Sequence, residues 1–322
     1  TNLSLLQVLM HAQHEGVLNF GDIRFGAIVS MPKRKKTSPN LLSGAYSTYS
    51  NLPPVTREIH GRLVEKDMLD SWLSSKTPLL AISGIAGCGK TTLTSHWLNH
   101  TISVAPEYEV MYYPCQPWDT PLGVATSLLH KIGVGVDDGK HDPYNILEAL
   151  PLKPGVEIDI DSYRRRLAAH MLDESGLDTK QEIELLVVLD DVHNIGPEGN
   201  YLFGALLQVA EIAPLRLILI SRNRLSFYDT RDVHTRERVR ELHLSGLSVE
   251  EVNSWISSMN LPNETEVEKI HSITGGHPLA VELLELYGKT VHEDWIRFLD
   301  QEILDVLPPD LSLIHITEPT RP

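Results

Sequence analysis

The sequence predicts an α/β fold: a mainly parallel five-stranded sheet covered by helices, followed by an all-helical lid. Three observations lead there. Short apolar runs alternate with helix-length stretches from about residue 61 to 247. A glycine-rich turn joins the first of these runs to the helix after it. Beyond 247 the apolar runs stop and only helical periodicity remains. Strands alternating with helices return in parallel, and both faces of such a sheet are buried.

The elements follow in order. Residues 1–55 read as an appendage. "LSLLQVLMHA" (3–12) is a short amphipathic helix, the basic run Lys33–Lys36 a solvated loop, and "NLPP" (51–54) a linker broken by Pro53 and Pro54. The α/β domain spans 56–247. Its strands are "PLLAIS" (78–83), "EYEVMYY" (107–113), "IELLVVLDD" (183–191), "LRLILIS" (215–221) and "VRELHLSGL" (239–247). Helices fall at 89–99, 121–132, 161–174 and 200–212, the second with Leu122, Ala125, Leu128 and Leu129 along one stripe. The stretch 134–158 is loop-like. The lid, 248–306, holds helices at 249–259, 264–273, 278–288 and 292–304, and 307–322 is a tail.

A length of 322 residues suits roughly two domains. Net charge is −15, unevenly spread: residues 1–60 carry six Lys/Arg against three Asp/Glu (+3), and 61–322 carry 22 against 40 (−18). A body that acidic is expected not to bind nucleic acid directly, because a polyanion is repelled. Cys88 and Cys115 cannot build a disulfide framework, which points to a reducing cytoplasm. No apolar run approaches the roughly 18 residues of a membrane span, and no membrane association is expected. Neither end reads as a natural one. The chain opens on Thr1 without a signal peptide, and "LSLIHITEPTRP" (311–322) resembles a translated sequencing adapter, with Thr317 where Ser is expected. That resemblance implies a native reading frame that stops near Asp310 here and continues past it in the intact protein.

Chemistry concentrates at the strand tips. "GIAGCGKTT" (84–92) fits G-x-x-x-x-G-K-[ST] between a strand and a helix. Gly84, Ala86, Gly87, Cys88 and Gly89 let successive backbone N–H groups wrap phosphate oxygens, and the helix N-terminus adds partial positive charge. In this phosphate loop Lys90 reaches the β/γ-phosphates, Thr91 ligates Mg²⁺, and Thr92 follows. The third strand ends in two carboxylates. Asp190 is the second Mg²⁺ ligand, and Asp191 orients the attacking water. Arg222, just past the fourth strand, is placed to read the γ-phosphate, with Arg224 as its competitor. His96 and His100 stand four apart, a spacing open to metal, yet no third ligand joins them. Five tryptophans at 72, 97, 118, 255 and 295 are scattered like core fillers.

The order "HGRLVEKDML", "GIAGCGKTT", "LLVVLDD", "LILISR", "LSGLSVEEV" and "TGGHPLAVEL" resembles the STAND class of P-loop ATPases. Within it, the branch is that of MalT-type regulators and their archaeal relatives, near the NB-ARC domains. The resemblance covers about residues 56–306. It implies that Gly61 and Arg62 pack by the adenine and sugar, that Arg222 senses the γ-phosphate, and that Gly276-His277-Pro278 lets the lid close, with Pro278 against the base. Leu63 and Val64 depart from the family, which usually carries charges there. The implied function is an ATP/ADP-binding switch that hydrolyses slowly and self-associates with ATP bound. Sensor repeats and an effector domain are expected on other parts of the chain. Two other readings compete: an AAA+ type ATPase of the origin-recognition or remodelling kind, and a small-molecule kinase. The kinase reading expects an arginine-rich lid, and 249–304 holds only Arg297.

Overall fold

The structure is a computed structural model, and the residues it describes are 52–53, 55, 58–105, 107–134, 144–151, 157–175, 184–258 and 267–287. The expected helices at 3–12 and 292–304, the basic run and the tail lie outside them.

Five strands, β1 (Leu79–Ser83), β2 (Tyr108–Pro114), β3 (Glu184–Asp190), β4 (Leu215–Ser221) and β5 (Val239–His243), form one sheet. Their order is β2-β3-β4-β1-β5, and every pairing is parallel rather than mainly so. The central strands β1, β3 and β4 are nearly continuous apolar runs because both faces are covered, whereas the edge strands β2 and β5 carry Glu109, Arg240 and Glu241. Alternate residues Leu80, Ile82, Leu186, Val188, Ile218 and Ile220 pack against α1 (Leu63–Leu73) and α2 (Lys90–His100). Their neighbours Leu79, Ala81, Val187, Leu189, Leu217 and Leu219 face α3 (Pro121–Lys131), α4 (Ile160–Ser175) and α5 (Gly199–Ala210).

Local chemistry sets the helix starts. Thr120 accepts the Gly123 N–H at 3.2 Å with Pro121 at the first turn of α3. Asp229 and Asp232 form a capping box on the short α6 (Thr230–His234), an element with too few residues to show a period. Helix α1 was also absent from the sequence expectation. Its Leu63 and Val64 are exposed, and only Leu69 and Trp72 are buried, so no apolar stripe announces it. The predicted fifth strand runs four residues too far, because the chain leaves the sheet after His243 to become the lid linker. A short 3-10 helix, Ile146–Ala149, lies within the expected loop.

Three lid helices are described: α7 (Val249–Ser258), α8 (Val267–Thr274) and α9 (Pro278–Tyr287). They share a small core of their own, formed by Leu247, Val252, Trp255, Ile256 and Val281. The Gly276 carbonyl accepts the Leu247 N–H at 2.7 Å, and the Leu247 carbonyl accepts from His271 Nε2 at 2.9 Å. The turn before α9 is thereby tied to the linker that leaves β5.

Register brings the chemistry to one edge. Ser83 pairs with Ser221 and His243, and Pro114 pairs with Asp190, so all five C-terminal tips lie along one rim. β1 sends the chain out to the far edge at β2, and β3 and β4 fill the gap back. The order therefore reverses beside β1, the place where open α/β sheets bind ligands.

Candidate functional site

The loop after β1 is folded as a cradle. Gly87 has φ +74, and a Cβ there would lie 2.8 Å from His277 Cε1, so only glycine fits. Gly89 is the N-cap of α2, which makes Lys90 its first helical residue. Lys90 is buried, and its Nζ donates to the Gly84 carbonyl at 2.6 Å and the Ile85 carbonyl at 2.9 Å. Cys88 lies beneath the loop, fully buried, and burial pushes its thiol above the usual range while Lys90 and Arg62 oppose this. A thiol in that state is a packing group rather than a reactive one.

Asp190 and Thr91, 99 positions apart in sequence, meet: the Thr91 hydroxyl donates to Asp190 Oδ2 at 2.7 Å. Two further donors hold the carboxylate, Tyr112 Oη at 2.8 Å on Oδ2 and the Asp191 N–H at 2.9 Å on Oδ1. Asp190 is only 2% exposed. Burial lifts its pKa, Asp191 adds to the lift, and the Thr91, Tyr112 and Asp191 hydrogen bonds resist it. A buried carboxylate beside a threonine hydroxyl is an all-oxygen pair suited to a hard cation. Mg²⁺ needs no more than one or two such ligands when a nucleotide supplies the rest. Among the described residues no cluster of three His, Cys, Asp or Glu could hold a metal by itself, and the His96 and His100 rings meet in a tilted contact with centroids 5.4 Å apart. Asp191 has φ +53 at the strand tip and a half-exposed carboxylate 3.9 Å from His193 Nδ1.

Arg222 and Arg224 separate. The Arg222 carbonyl accepts the Gly84 N–H at 3.3 Å, which places it against the start of the phosphate loop. Arg224 instead donates to Glu241 Oε1 on β5 at 2.6 Å and lies over the Tyr228 ring.

Arg62 is a buried hub. Its Nη2 donates to the Cys88 carbonyl at 3.0 Å and the Ser245 carbonyl at 2.6 Å, and its Nη1 pairs with Glu65 at 2.6 Å. Loop, lid linker and α1 meet on one guanidinium. From the lid, His277 Nε2 donates to the Ala86 carbonyl at 2.9 Å, which fixes the Nε2–H tautomer. Burial holds the His277 pKa below the ordinary imidazole range against the upward pull of the Ala86 hydrogen bond, and Lys90 and Arg62 depress it further.

Beside the loop opens a cavity of about 460 Å³, walled by His60, Arg62, Gly87, Cys88, Gly89, Thr92, Trp255 and Pro278 among others. In its wall His60 stacks on Trp255 with ring centroids 4.3 Å apart and planes within 9°. Of the anticipated residues, Arg62, Gly87, Cys88, Gly89, Thr92 and Pro278 line this cavity, while Lys90, Thr91, Asp190, Asp191, Arg222 and His277 lie outside its lining. His60, Tyr112, Glu251 and Trp255 were not anticipated. Only Glu251 carried a signal, the Ser248-x-x-Glu251 spacing of a capping box.

The parallel sheet, the strand–loop–helix cradle and the paired Thr91 and Asp190 define a P-loop NTPase fold of the nucleotide-binding class. More particularly, the chain belongs to the family described as Nephrocystin 3, N-terminal, whose model matches residues 61–222. No curated protein matches in sequence. Among solved structures it is similar to the Aeropyrum pernix ORC1 protein in complex with DNA, at 15% identity and TM-score 0.47, covering 81% of this chain and 72% of that one. The Aeropyrum pernix ORC2 protein in ADPNP–ADP complexes matches at 16% and 0.45, covering 80% and 73%. Drosophila ORC bound to DNA matches at 16% and 0.42, covering 78% of this chain and 59% of that one.

Proposed function

We propose that this chain is the ATP/ADP-binding switch of a multidomain signal-transduction ATPase of the STAND class. ADP holds the lid on the phosphate loop, and ATP releases it and favours self-association. Slow hydrolysis restores the closed state. The observation that carries this reading is the hydrogen bond from His277 to the Ala86 carbonyl, with Leu279 beside Gly87 and Pro278 beside Gly89. The lid rests on the loop that would hold phosphates, so occupancy of one bears on the position of the other.

Each residue then has a task. The loop amides and Lys90, released from the Gly84 and Ile85 carbonyls, bind the β- and γ-phosphates. Thr91 and Asp190 hold Mg²⁺, which when bound neutralises charge on those oxygens. Asp191 orients the attacking water, and Arg222 reads whether a γ-phosphate is present. Arg62, His60 and Trp255 wall the base and sugar, with Pro278 closing over them. Reversing a 1:99 equilibrium takes about 5.5 kcal/mol of differential binding. One charge-assisted hydrogen bond from Arg222 supplies about 1.5–3 kcal/mol, so Lys90, the cation and the lid contacts share the work.

The lid as a domain of its own (248–306) is part of this proposal, supported by its separate core. So is a cytoplasmic location: both cysteines are free and buried, and no described helix is long and apolar enough to cross a membrane. The exclusion of nucleic acid rests on the acidic body alone. A working AAA+ ATPase would use the same sheet and loop, and turnover separates the two readings. The switch turns over on the order of 10⁻³ s⁻¹, whereas a remodelling ATPase exceeds about 1 s⁻¹. Calorimetric titration with ATP and ADP tests the site itself. Lys90→Ala abolishes binding, while Asp191→Ala binds normally and loses hydrolysis. Unchanged ATP affinity in Lys90→Ala overturns the assignment.

A further inference from the structure

Glu251 lies on the first lid helix, 189 positions from the segment it touches, yet its carboxylate is fully engaged. Oε1 accepts the Arg62 backbone N–H at 2.6 Å, and Oε2 accepts the Ser248 N–H at 2.9 Å. The Glu251 N–H in turn donates to Ser248 Oγ at 3.2 Å, which completes a capping box on α7. A capping glutamate ordinarily bonds only the N-cap amide of its own helix. Here the second oxygen leaves the helix and binds another segment.

That segment is shaped to receive it. Gly61 and Arg62 both have positive φ, +64 and +62. A Cβ on Gly61 would lie 2.3 Å from Glu251 Oε1, so glycine is what allows the carboxylate to come this close. One turn further along α7, Trp255 stacks on His60. Glu251 and Trp255, at i and i+4 on one helix face, therefore grip residues 60–62 at two points. His60, Arg62 and Trp255 all line the cavity. Its wall away from the phosphate loop thus exists only while α7 is latched to this segment.

We infer that Glu251 is a positioning residue for nucleotide binding: it latches the lid to Gly61-Arg62 and so assembles the base-and-sugar wall, without touching the phosphates. This rests on the reading of the cavity as a nucleotide site. It predicts a split between the two ends of the ligand. Phosphate contacts come from Lys90 and the loop amides, which Glu251 does not contact, whereas base contacts depend on the latch.

The test is calorimetric binding of ADP, the nucleotide of the closed lid, and of inorganic pyrophosphate to the wild-type chain, Lys90→Ala, Glu251→Ala and Glu251→Gln, with folding checked by circular dichroism. Glu251→Ala weakens ADP about tenfold or more, the scale of a lost charge-assisted hydrogen bond, and leaves pyrophosphate within about twofold. Glu251→Gln keeps the volume and one acceptor but turns an amide donor toward the other N–H, so it falls between wild type and Ala. It also decides the matter should the Ala variant not fold. Wild-type ADP affinity in the folded Glu251 variants, or equal weakening of ADP and pyrophosphate, overturns the latch and leaves the site reading intact. Failure of the wild-type chain to bind ADP overturns both.

Discussion

Three donors converge on the Asp190 carboxylate, and one of them comes from a neighbouring strand. Tyr112 Oη shares Oδ2 with Thr91, the other proposed ligand of Mg²⁺. In a buried site this phenol orients the carboxylate and opposes the upward push of burial on its pKa. Tyr112→Phe is expected to lower ATP affinity about tenfold in Mg²⁺, within the usual cost of losing an outer-shell partner, and to leave affinity in EDTA unchanged. Paired titrations with and without the cation check this. The phosphate loop was legible because its chemistry is contiguous: nine residues in a row carry the glycines, the lysine and the threonine. Tyr112 and Glu251 were not, because their partners lie 78 and 189 positions away and only the fold joins them. Arg62 stood between these cases. The family resemblance marked it, while its three backbone-linked partners became visible only in three dimensions.

At the scale of elements, the sheet was legible because its central strands are nearly continuous apolar runs that end in glycine or charge. Helix α1 was not, since four of its eleven residues are charged and its exposed Leu63 and Val64 blur any stripe. The contact between α9 and the phosphate loop makes a pH prediction. His277 donates through a neutral ring, and burial lowers its pKa. The closed lid is therefore fully stabilised above the ordinary imidazole value of about 6.5 and loses that stability as pH falls below it. Hydrogen exchange at residues 277–281 should rise as pH is lowered from about 7 to 5.5, after correction for intrinsic rates. His277→Gln, which keeps a donor but does not titrate, should flatten that dependence. A wild-type profile identical to that of the Gln variant would remove His277 from the closure.

At the scale of the molecule, the family match covers 61–222 and stops short of the lid, so the lid's role is argued from contacts alone. Those contacts are directional. The Gly276 carbonyl holds the linker at Leu247, Glu251 holds Gly61-Arg62, and His277 holds Ala86. Each joins a lid residue to a segment that borders the same cavity. A ligand filling that cavity therefore meets both bodies, and its differential affinity for closed and open forms sets the lid. Hydrogen exchange of the Leu247, His277 and 279–281 amides in saturating ADP and in saturating ATP tests this most directly. Coupling of ordinary size predicts strong protection with ADP and exchange about tenfold faster or more with ATP. Equal protection in both nucleotides, with both shown to bind, would contradict the switch.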